Sequence, residues 1–420
     1  MSEHLTFRST PARPFLAVST TPQVAYVLLE VQPAAETAQV RARINVAFVL
    51  DHSGSMKGEK IERLRRATLR AVELLDPQDI ASIVVFDHRV DVLVPAQPAA
   101  DRAALTAAVG RIRDGGGTRI APAIEVGLRE VARGPADAVR RLLLLTDGQT
   151  EGERDCLRVA DDAGRASIPI TALGMGNDWN EELLDAMAQR SNGEADYIDQ
   201  PDAIADYFKA TVQRAQASSV QNAQLTLHPA PGVTPRAIWQ VVPLISNLGF
   251  RPVNERDVAV ALGDVEAGVG RGLLFELLID PRAAGQYRIG EVEVGFDIPQ
   301  QHVFGAVERT DLLLNFSDLP AQTAQVNAPV MNIVEKVSAF KLQTRALQDL
   351  QAGDVSAATQ KLQSAVTRLL SQGELELAQT MEREIDNLNK TGRLSSEGQK
   401  TMKFGTRKTV RLNELDLPKE

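Results

Sequence analysis

The side chains best suited to chemistry in this 420-residue sequence are oxygen donors that follow apolar runs. In the segment NVAFVLDHSGSM, Asp51, Ser53 and Ser55 stand at alternate positions directly after such a run. Thr118 follows three glycines, and Asp147 follows the run LLLLT and precedes another glycine. Because loops at the carboxyl ends of parallel strands meet at one edge of a sheet, we expect these oxygens to converge. Carboxylates and hydroxyls are hard ligands, so the pattern predicts a site for one Mg²⁺ or Mn²⁺.

Three classes of enzyme share part of this pattern, and each lacks a group that its chemistry needs. Phosphatases of the haloacid dehalogenase type carry a second aspartate where Ser53 stands, so their general acid is missing. A hydrolase elbow reads G-x-S-x-G rather than D-H-S-G-S, and a phosphate-binding loop needs a lysine that residues 115–118 (GGGT) lack. His52 is a candidate base, but we expect it to face solvent. The sequence therefore favours a protein that is not an enzyme and has no catalytic residues.

The segments around these loops alternate between strands and helices. From Asn45 to about Ala215, short apolar runs are separated by amphipathic stretches, a pattern typical of a parallel sheet covered by helices on both faces. The apolar runs predict strands at Val46–Leu50, Ile80–Phe86, Leu142–Thr146 and Ile168–Leu173, with Val90–Val94 as a hairpin edge. The helical spacing predicts helices at Glu59–Leu75, Arg102–Ile112, Ile120–Ala132 and Glu181–Ser191. We therefore predict an α/β fold with a doubly wound, mostly parallel, Rossmann-like sheet.

This set of oxygen donors resembles the metal-ion-dependent adhesion site of von Willebrand factor A domains of the bacterial type. The match in number, order and rough spacing rests on Asp51, Ser53, Ser55, Thr118 and Asp147. The segment GMGNDWNEELL also looks like the strand, loop and helix that close many bacterial and inter-alpha-inhibitor-like members. The resemblance extends over residues 44–212.

This resemblance implies a metal-dependent protein-binding module. It implies that Ser53, Ser55 and one of Thr118 or Asp147 touch the metal directly, while the remaining ligands act through water. A protein partner would supply an acidic residue to an open position on the metal. The alternative is an accessory subunit of an ATPase or kinase-linked signalling complex, whose partner would carry out the nucleotide chemistry.

The regions on either side of the candidate domain have different patterns. Strand character at Val24–Val31 and the alternation in residues 220–300 indicate a β-sandwich built from both flanks, and helical spacing resumes after Val330. The predicted parts are a β segment joining the sandwich (1–43), the metal-binding domain (44–215), the β-sandwich (216–320), a helical bundle (321–392) and a basic polar tail (393–420).

The tail is basic, although the whole chain carries a net charge of −9. Its simplest interpretation is a solvated end. It could instead be a docking peptide, or a site of phosphorylation at Thr401, Thr406 or Thr409, because each of these threonines lies close to Lys or Arg. A phosphate there would form strong pairs with arginine, and a phosphothreonine-reading partner could bind it.

Composition narrows the other classes of function. Hydrophobic residues make up 44% of the chain and charged residues 24%, as in ordinary folded proteins. The net negative charge argues against general nucleic-acid binding, and the lone Cys156 cannot form an intrachain disulfide. Because we find no secretory signal pattern and no apolar run long enough to cross a bilayer, we expect a cytoplasmic protein with no membrane partner.

Overall fold

A computed structural model describes residues 4–39, 41–135, 137–150, 152–176, 179–198 and 203–408. It separates the chain into two units. We call Ala38–Asn222 with Asp297–Phe304 the central unit. The flanking unit takes in the described parts of Met1–Thr37, Ala223–Phe296 and Gly305–Glu420.

The elements have these bounds in chain order. The strands are β1 (Leu5–Pro11), β2 (Phe15–Ala17), β3 (Gln23–Pro33), β4 (Ile44–Asp51), β5 (Ile80–Phe86), β6 (Val90–Pro98), β7 (Val139–Thr146), β8 (Ile170–Met175), β9 (Glu194–Ile198), β10 (Ser218–Pro229), β11 (Val233–Val242), β12 (Ser246–Asn247), β13 (Arg251–Pro252), β14 (Val258–Glu266), β15 (Arg271–Ile279), β16 (Gly285–Ile298) and β17 (Val303–Ser317). The helices are α1 (Ala35–Ala38), α2 (Glu59–Glu73), α3 (Arg102–Gly110), α4 (Ile120–Ala132), α5 (Glu153–Arg165), α6 (Glu181–Arg190), α7 (Ile204–Ala217), α8 (Pro320–Thr323), α9 (Ala328–Gln351), α10 (Val355–Ser371), α11 (Leu375–Thr391) and α12 (Ser396–Arg407).

The central unit is built on a six-stranded sheet of order β6-β5-β4-β7-β8-β9. Strand β4 runs parallel to β5 and to β7, and β8 runs parallel to β7 and to β9. Strand β6 pairs antiparallel with β5, which confirms the predicted hairpin edge. Every residue of β4, β5 and β8 is buried, because helices cover both faces of the sheet. The doubly wound α/β fold is therefore confirmed.

The core of this unit follows the predicted helical faces. On α2, Ile61, Leu64 and Ala71 are buried, and Phe48 of β4 lies 5.9 Å from Phe208 of α7 between ring centroids. The bounds of α4 agree with the prediction, whereas α2 and α3 each end two residues earlier. The prediction had no counterpart for β9, whose sequence EADYI is too short and polar to carry a strand signal.

The flanking unit contains two further sheets. One has the order β1-β3-β15-β11-β12, and the other β13-β14-β10-β16-β17-β2. Strand β3 pairs antiparallel with β15 from Gln23 opposite Ile279 to Val31 opposite Arg271. The N-terminal segment therefore shares a sheet with strands from residues 216–320, as its unpartnered strand pattern indicated.

The C-terminal part differs from the predicted polar tail. Residues Ser396–Arg407 form α12, whose Met402 and Phe404 are buried. Its N-terminus is capped by Ser395, and Gly398 lets the helix pass so close to α11 that a Cβ there would lie 2.1 Å from Glu384. Two large apolar residues were too few to reveal this helix in the sequence. None of the described helices combines the length and apolarity that crossing a membrane requires.

This helix also changes the environment of the tail threonines. The Thr406 hydroxyl is buried and donates a hydrogen bond of 2.7 Å to Gln343 on α9, so the folded protein does not present it to solvent. Thr401 is partly buried on the same helix. Thr409 lies outside the described residues.

Candidate metal centre

The first strand of the site delivers its carboxylate to the carboxyl edge of the sheet. Strand β4 ends at Asp51, and a single 3-10 turn, Gly54–Met56, leads from it to α2. The buried side chain of Met56 anchors this turn in the core. We call residues 113–119 the glycine loop. The amide of Gly54 donates a hydrogen bond of 2.9 Å to the carbonyl of Gly116, so the 3-10 turn is fixed to this loop.

Asp51 is fully buried and has specific hydrogen-bond donors on both carboxylate oxygens. The amide of Ser53 donates to Oδ1 at 2.8 Å, and the hydroxyl of Thr146 donates to Oδ2 at 2.6 Å. Burial raises the pKa of Asp51 above its ordinary value, and the hydrogen bonds from Thr146 and Ser53 only partly oppose this. The Asp51 carboxylate therefore holds the loop of Ser53 in place, and its negative charge lies out of reach of solvent.

The hydroxyls form a connected chain beside this carboxylate. The Oγ atoms of Ser53 and Ser55 lie 3.1 Å apart, and the Ser55 hydroxyl donates to Asp147 Oδ1 at 2.6 Å. A Cβ built on Gly148 would lie 3.3 Å from Thr118 Oγ1 and 3.9 Å from Ser55 Oγ, so both hydroxyls lie beside this glycine. The structure thus brings all five sequence-predicted oxygen donors to one edge of the sheet.

Lys60 is also part of this site, although it was not among the residues predicted from the sequence. It lies in the first turn of α2, and its ammonium group donates a hydrogen bond to Asp147 Oδ2. The side chain of Asp147 is fully buried, whereas that of Lys60 is 32% exposed. The signal for this contact in the sequence was a lysine in the first helical turn after the loop of Ser53 and Ser55.

The glycine loop is held by Asp87, the residue that follows β5. Its carboxylate accepts hydrogen bonds from the amides of Gly116 at 2.8 Å and Arg89 at 2.6 Å. Burial raises the pKa of Asp87, but these amides and the nearby His88 and His52 outweigh burial and leave it below the ordinary value. Asp87 therefore acts as an ionised anchor for the loop that carries Thr118.

His52 also faces this loop rather than the serines. Its Nδ1 atom is 2.5 Å from the carbonyl oxygen of Arg113, and its own carbonyl accepts a hydrogen bond of 2.6 Å from the amide of Gly115. Within the described part of the chain, no hydrogen bond joins His52 to Ser53 or Ser55. The histidine thus shapes the glycine loop.

The donor set fits a hard divalent cation. Two carboxylates and three hydroxyls offer oxygen only, the chemistry that Mg²⁺ and Mn²⁺ prefer. No group of three or more His, Cys, Asp or Glu suited to a metal occurs among the described residues, so an ion here would depend on the hydroxyls. Cys156 is buried on α5, where burial raises the pKa of its thiol to about 11, and it offers the site no thiolate.

Comparison with known proteins identifies two segments of the chain. The family model of the von Willebrand factor type A domain matches residues 45–210. The model described as "Sll0103-like, C-terminal alpha-helical domain" matches residues 328–412. The uncharacterized protein sll0103 of Synechocystis sp. is 32% identical over 336 residues, which cover 77% of this chain and 78% of that protein.

Two further similarities concern the domain and the fold. Inter-alpha-trypsin inhibitor heavy chain H3 of Rattus norvegicus is 33% identical over 163 residues, but these cover 36% of this chain and only 18% of that protein. The solved structure of a von Willebrand factor type A protein from Catenulispora acidiphila superposes with a TM-score of 0.80 and 20% identity, covering 97% of each chain. At 20% identity, the similarity to the Catenulispora acidiphila structure shows a shared fold.

Proposed function

The chain belongs to the family of von Willebrand factor type A domain proteins that includes sll0103, and from this premise we propose that it binds a protein partner through a divalent metal ion. The type A domain is a protein-interaction module. Mg²⁺ or Mn²⁺ would be held by Asp51, Ser53, Ser55, Thr118 and Asp147. The observation that carries the proposal is the hydrogen-bonded chain from Ser53 through Ser55 to Asp147, beside the buried Asp51.

Each residue has a separate part in this proposal. The buried Asp51 orients the serine loop through the amide of Ser53. The hydroxyls of Ser55 and Thr118 lie beside Gly148, which has no side chain to cover them. A bound ion would supply a concentrated positive charge for one carboxylate of the partner. Neutral hydroxyls among the ligands withdraw little of that charge, so it would remain available to the partner.

We propose that this function is non-catalytic. A serine nucleophile needs a base within hydrogen-bonding reach. The base within reach of Ser55 is the Asp147 carboxylate, but its other oxygen already accepts a hydrogen bond from the Lys60 ammonium, so this carboxylate is held in an ion pair. His52 makes its hydrogen bond at the Arg113 carbonyl. These contacts support a binding role for the site.

The test begins with the metal itself. Metal-free protein is titrated with Mn²⁺ while the free ion is followed by electron paramagnetic resonance, and Mg²⁺ is followed by calorimetry. We expect one weak to moderate site per chain that is lost in Asp51→Ala, while Asp114→Ala, at an exposed carboxylate of the neighbouring loop, leaves it intact. Partner capture should then require Mg²⁺ or Mn²⁺ and be abolished by a chelator. Unchanged metal binding by Asp51→Ala would contradict the proposal.

A further inference from the structure

Four exposed basic residues lie on the loops that build the candidate metal centre. We call Lys57, Arg89, Arg113 and Arg119 the basic rim, and all of them are exposed. They lie on the loops that build the site, although the chain as a whole carries a net charge of −9. This local excess of positive charge therefore runs against the overall charge of the protein.

The backbone of each rim residue is tied to the site. Lys57 ends the 3-10 turn that carries Ser55. The amides of Arg89 and Arg119 donate to Oδ1 and to the carbonyl oxygen of Asp87, at 2.6 and 2.9 Å. The positions of the rim residues are thus set by the same contacts that set the metal ligands.

Arg113 and Arg119 stand at the two ends of the glycine loop. The carbonyl of Arg113 contacts His52 at 2.5 Å, and Arg119 follows Thr118 directly. The acid of that loop, Asp114, is exposed and forms no ion pair within the described ranges. The loop therefore presents more positive than negative charge to solvent.

Most arginines on the helices of the central unit form ion pairs with acidic residues, whereas the residues of the basic rim do not. Examples of pairs are Arg63 with Glu59, Arg65 with Glu62, Arg70 with Glu73, Arg158 with Glu125 and Arg190 with Asp161. No rim residue forms an ion pair with any residue that the structure describes. The Arg113 guanidinium donates through one nitrogen to the carbonyls of Gly110 and Ile112, at 2.7 and 2.9 Å, but no acid neutralises its charge. The positive charges of the rim are thus available to a partner.

We propose that the basic rim recognises an acidic segment of the protein partner, whose further carboxylates follow the one that approaches the metal. This inference rests on the proposed function and specifies the chemistry of the partner. Several cations beside a divalent ion would favour a run of Asp or Glu over an isolated carboxylate. The rim would also speed association by attracting such a segment, and salt would weaken this effect.

The charge on the other side of the edge favours a short acidic segment over a nucleic acid. Glu153 and Asp155 begin α5 after β7 and are exposed, and Glu181 begins α6 after β8. A long polyanion that crossed the whole edge would meet these carboxylates. A short peptide can bind the rim and end at the metal centre.

The test compares two fluorescein-labelled peptides of equal length by fluorescence anisotropy with the full chain in Mg²⁺. One peptide has a single Asp in a Gly-Ser background, and the other has the same Asp followed by a run of Glu. We expect the second to bind at least about tenfold more tightly at low salt, with the preference shrinking as salt rises. In Arg113→Gln/Arg119→Gln the preference should fall to about twofold, whereas Mn²⁺ affinity should stay within about threefold of wild type.

Arg129→Gln is the matched control. Arg129 is exposed in the last turn of α4, roughly 13 Å along the helix from its start at the edge. Equal affinities for both peptides in wild type, or an unchanged preference in the double variant, would overturn the acidic segment while leaving metal-dependent binding intact. Tighter, arginine-dependent binding of an oligothymidylate probe would also overturn it. Failure of both peptides and of Mn²⁺ to bind would instead remove the proposed function.

Discussion

The ammonium group of Lys60 on α2 donates a hydrogen bond to Asp147 at the end of β7. One of the two site carboxylates therefore has a cation of the protein's own as a partner. A divalent ion at the same oxygens would share Asp147 with this lysine and would be repelled by it. The lysine would thus limit the affinity of the proposed site for a metal ion, while it stabilises the buried carboxylate of the metal-free protein.

Replacing Lys60 by methionine should increase metal affinity. The change keeps the length of the side chain and removes the charge, which at this partly exposed position is worth about 1 kcal/mol, or roughly a fivefold tighter Kd for Mn²⁺. The free energy of unfolding without metal should fall, because Asp147 loses its partner. Lys57→Met, at an exposed lysine without an ion pair in the described chain, should change the Kd less than about twofold. Weaker Mn²⁺ binding by Lys60→Met would show that the lysine supports the metal site.

Asp51→Asn should remove the buried charge of Asp51 without lowering the stability of the metal-free protein. Burial raises the pKa of Asp51, so its charge opposes folding above that pKa, and the penalty disappears as the pH falls through it. With a chelator present, urea unfolding at pH 7 should find the variant at least as stable as wild type, since the Thr146 hydroxyl can accept a hydrogen bond from the new amide. This advantage should shrink toward about pH 4, where carboxyls protonate. A variant clearly less stable at neutral pH would contradict the assignment of an unfavourable buried charge.

The parts of the site that the sequence could predict are those set by strand ends. Asp51 and Asp147 follow apolar runs, and parallel pairing of β4 with β7 places both at one edge. The roles of Lys60 and Asp87 depend on how far a side chain on a helix or a neighbouring loop reaches. Such contacts between elements have no periodic signature in the sequence.

The tail shows the same limit at the level of the fold. Helix α12 is buried by the faces of α9 and α11, and its own sequence offers only Met402 and Phe404 as large apolar residues. Polar residues of this helix are buried through contacts with other helices, as when Thr406 bonds Gln343. A hydrophobic pattern within one segment cannot report such partners.

The glycine loop offers a test by paired substitutions. A Cβ on Gly115 would lie 2.3 Å from Asp87 Oδ2 and 3.1 Å from a ring carbon of His52, whereas a Cβ on Gly117 would meet nothing within 4 Å. Gly115→Ala should displace the loop that carries Thr118 and weaken Mn²⁺ binding about tenfold, the usual scale of an overpacked contact. Gly117→Ala should stay within about twofold of wild type in the same titration. Equal affinities for the two variants would mean that Thr118 does not depend on the anchoring by Asp87.

The docking of α12 predicts that its core residues contribute to the stability of the flanking unit. Met402 is fully buried in a cluster with Leu362, Ile385 and Leu388 from α10 and α11. Met402→Ala should lower the free energy of unfolding by about 2–5 kcal/mol, as cavity-forming substitutions do. Glu397→Gln, at an exposed position of the same helix, should cost less than about 0.5 kcal/mol in the same urea titrations. A polar, solvated tail predicts no loss for either variant, so wild-type stability of Met402→Ala would restore that interpretation.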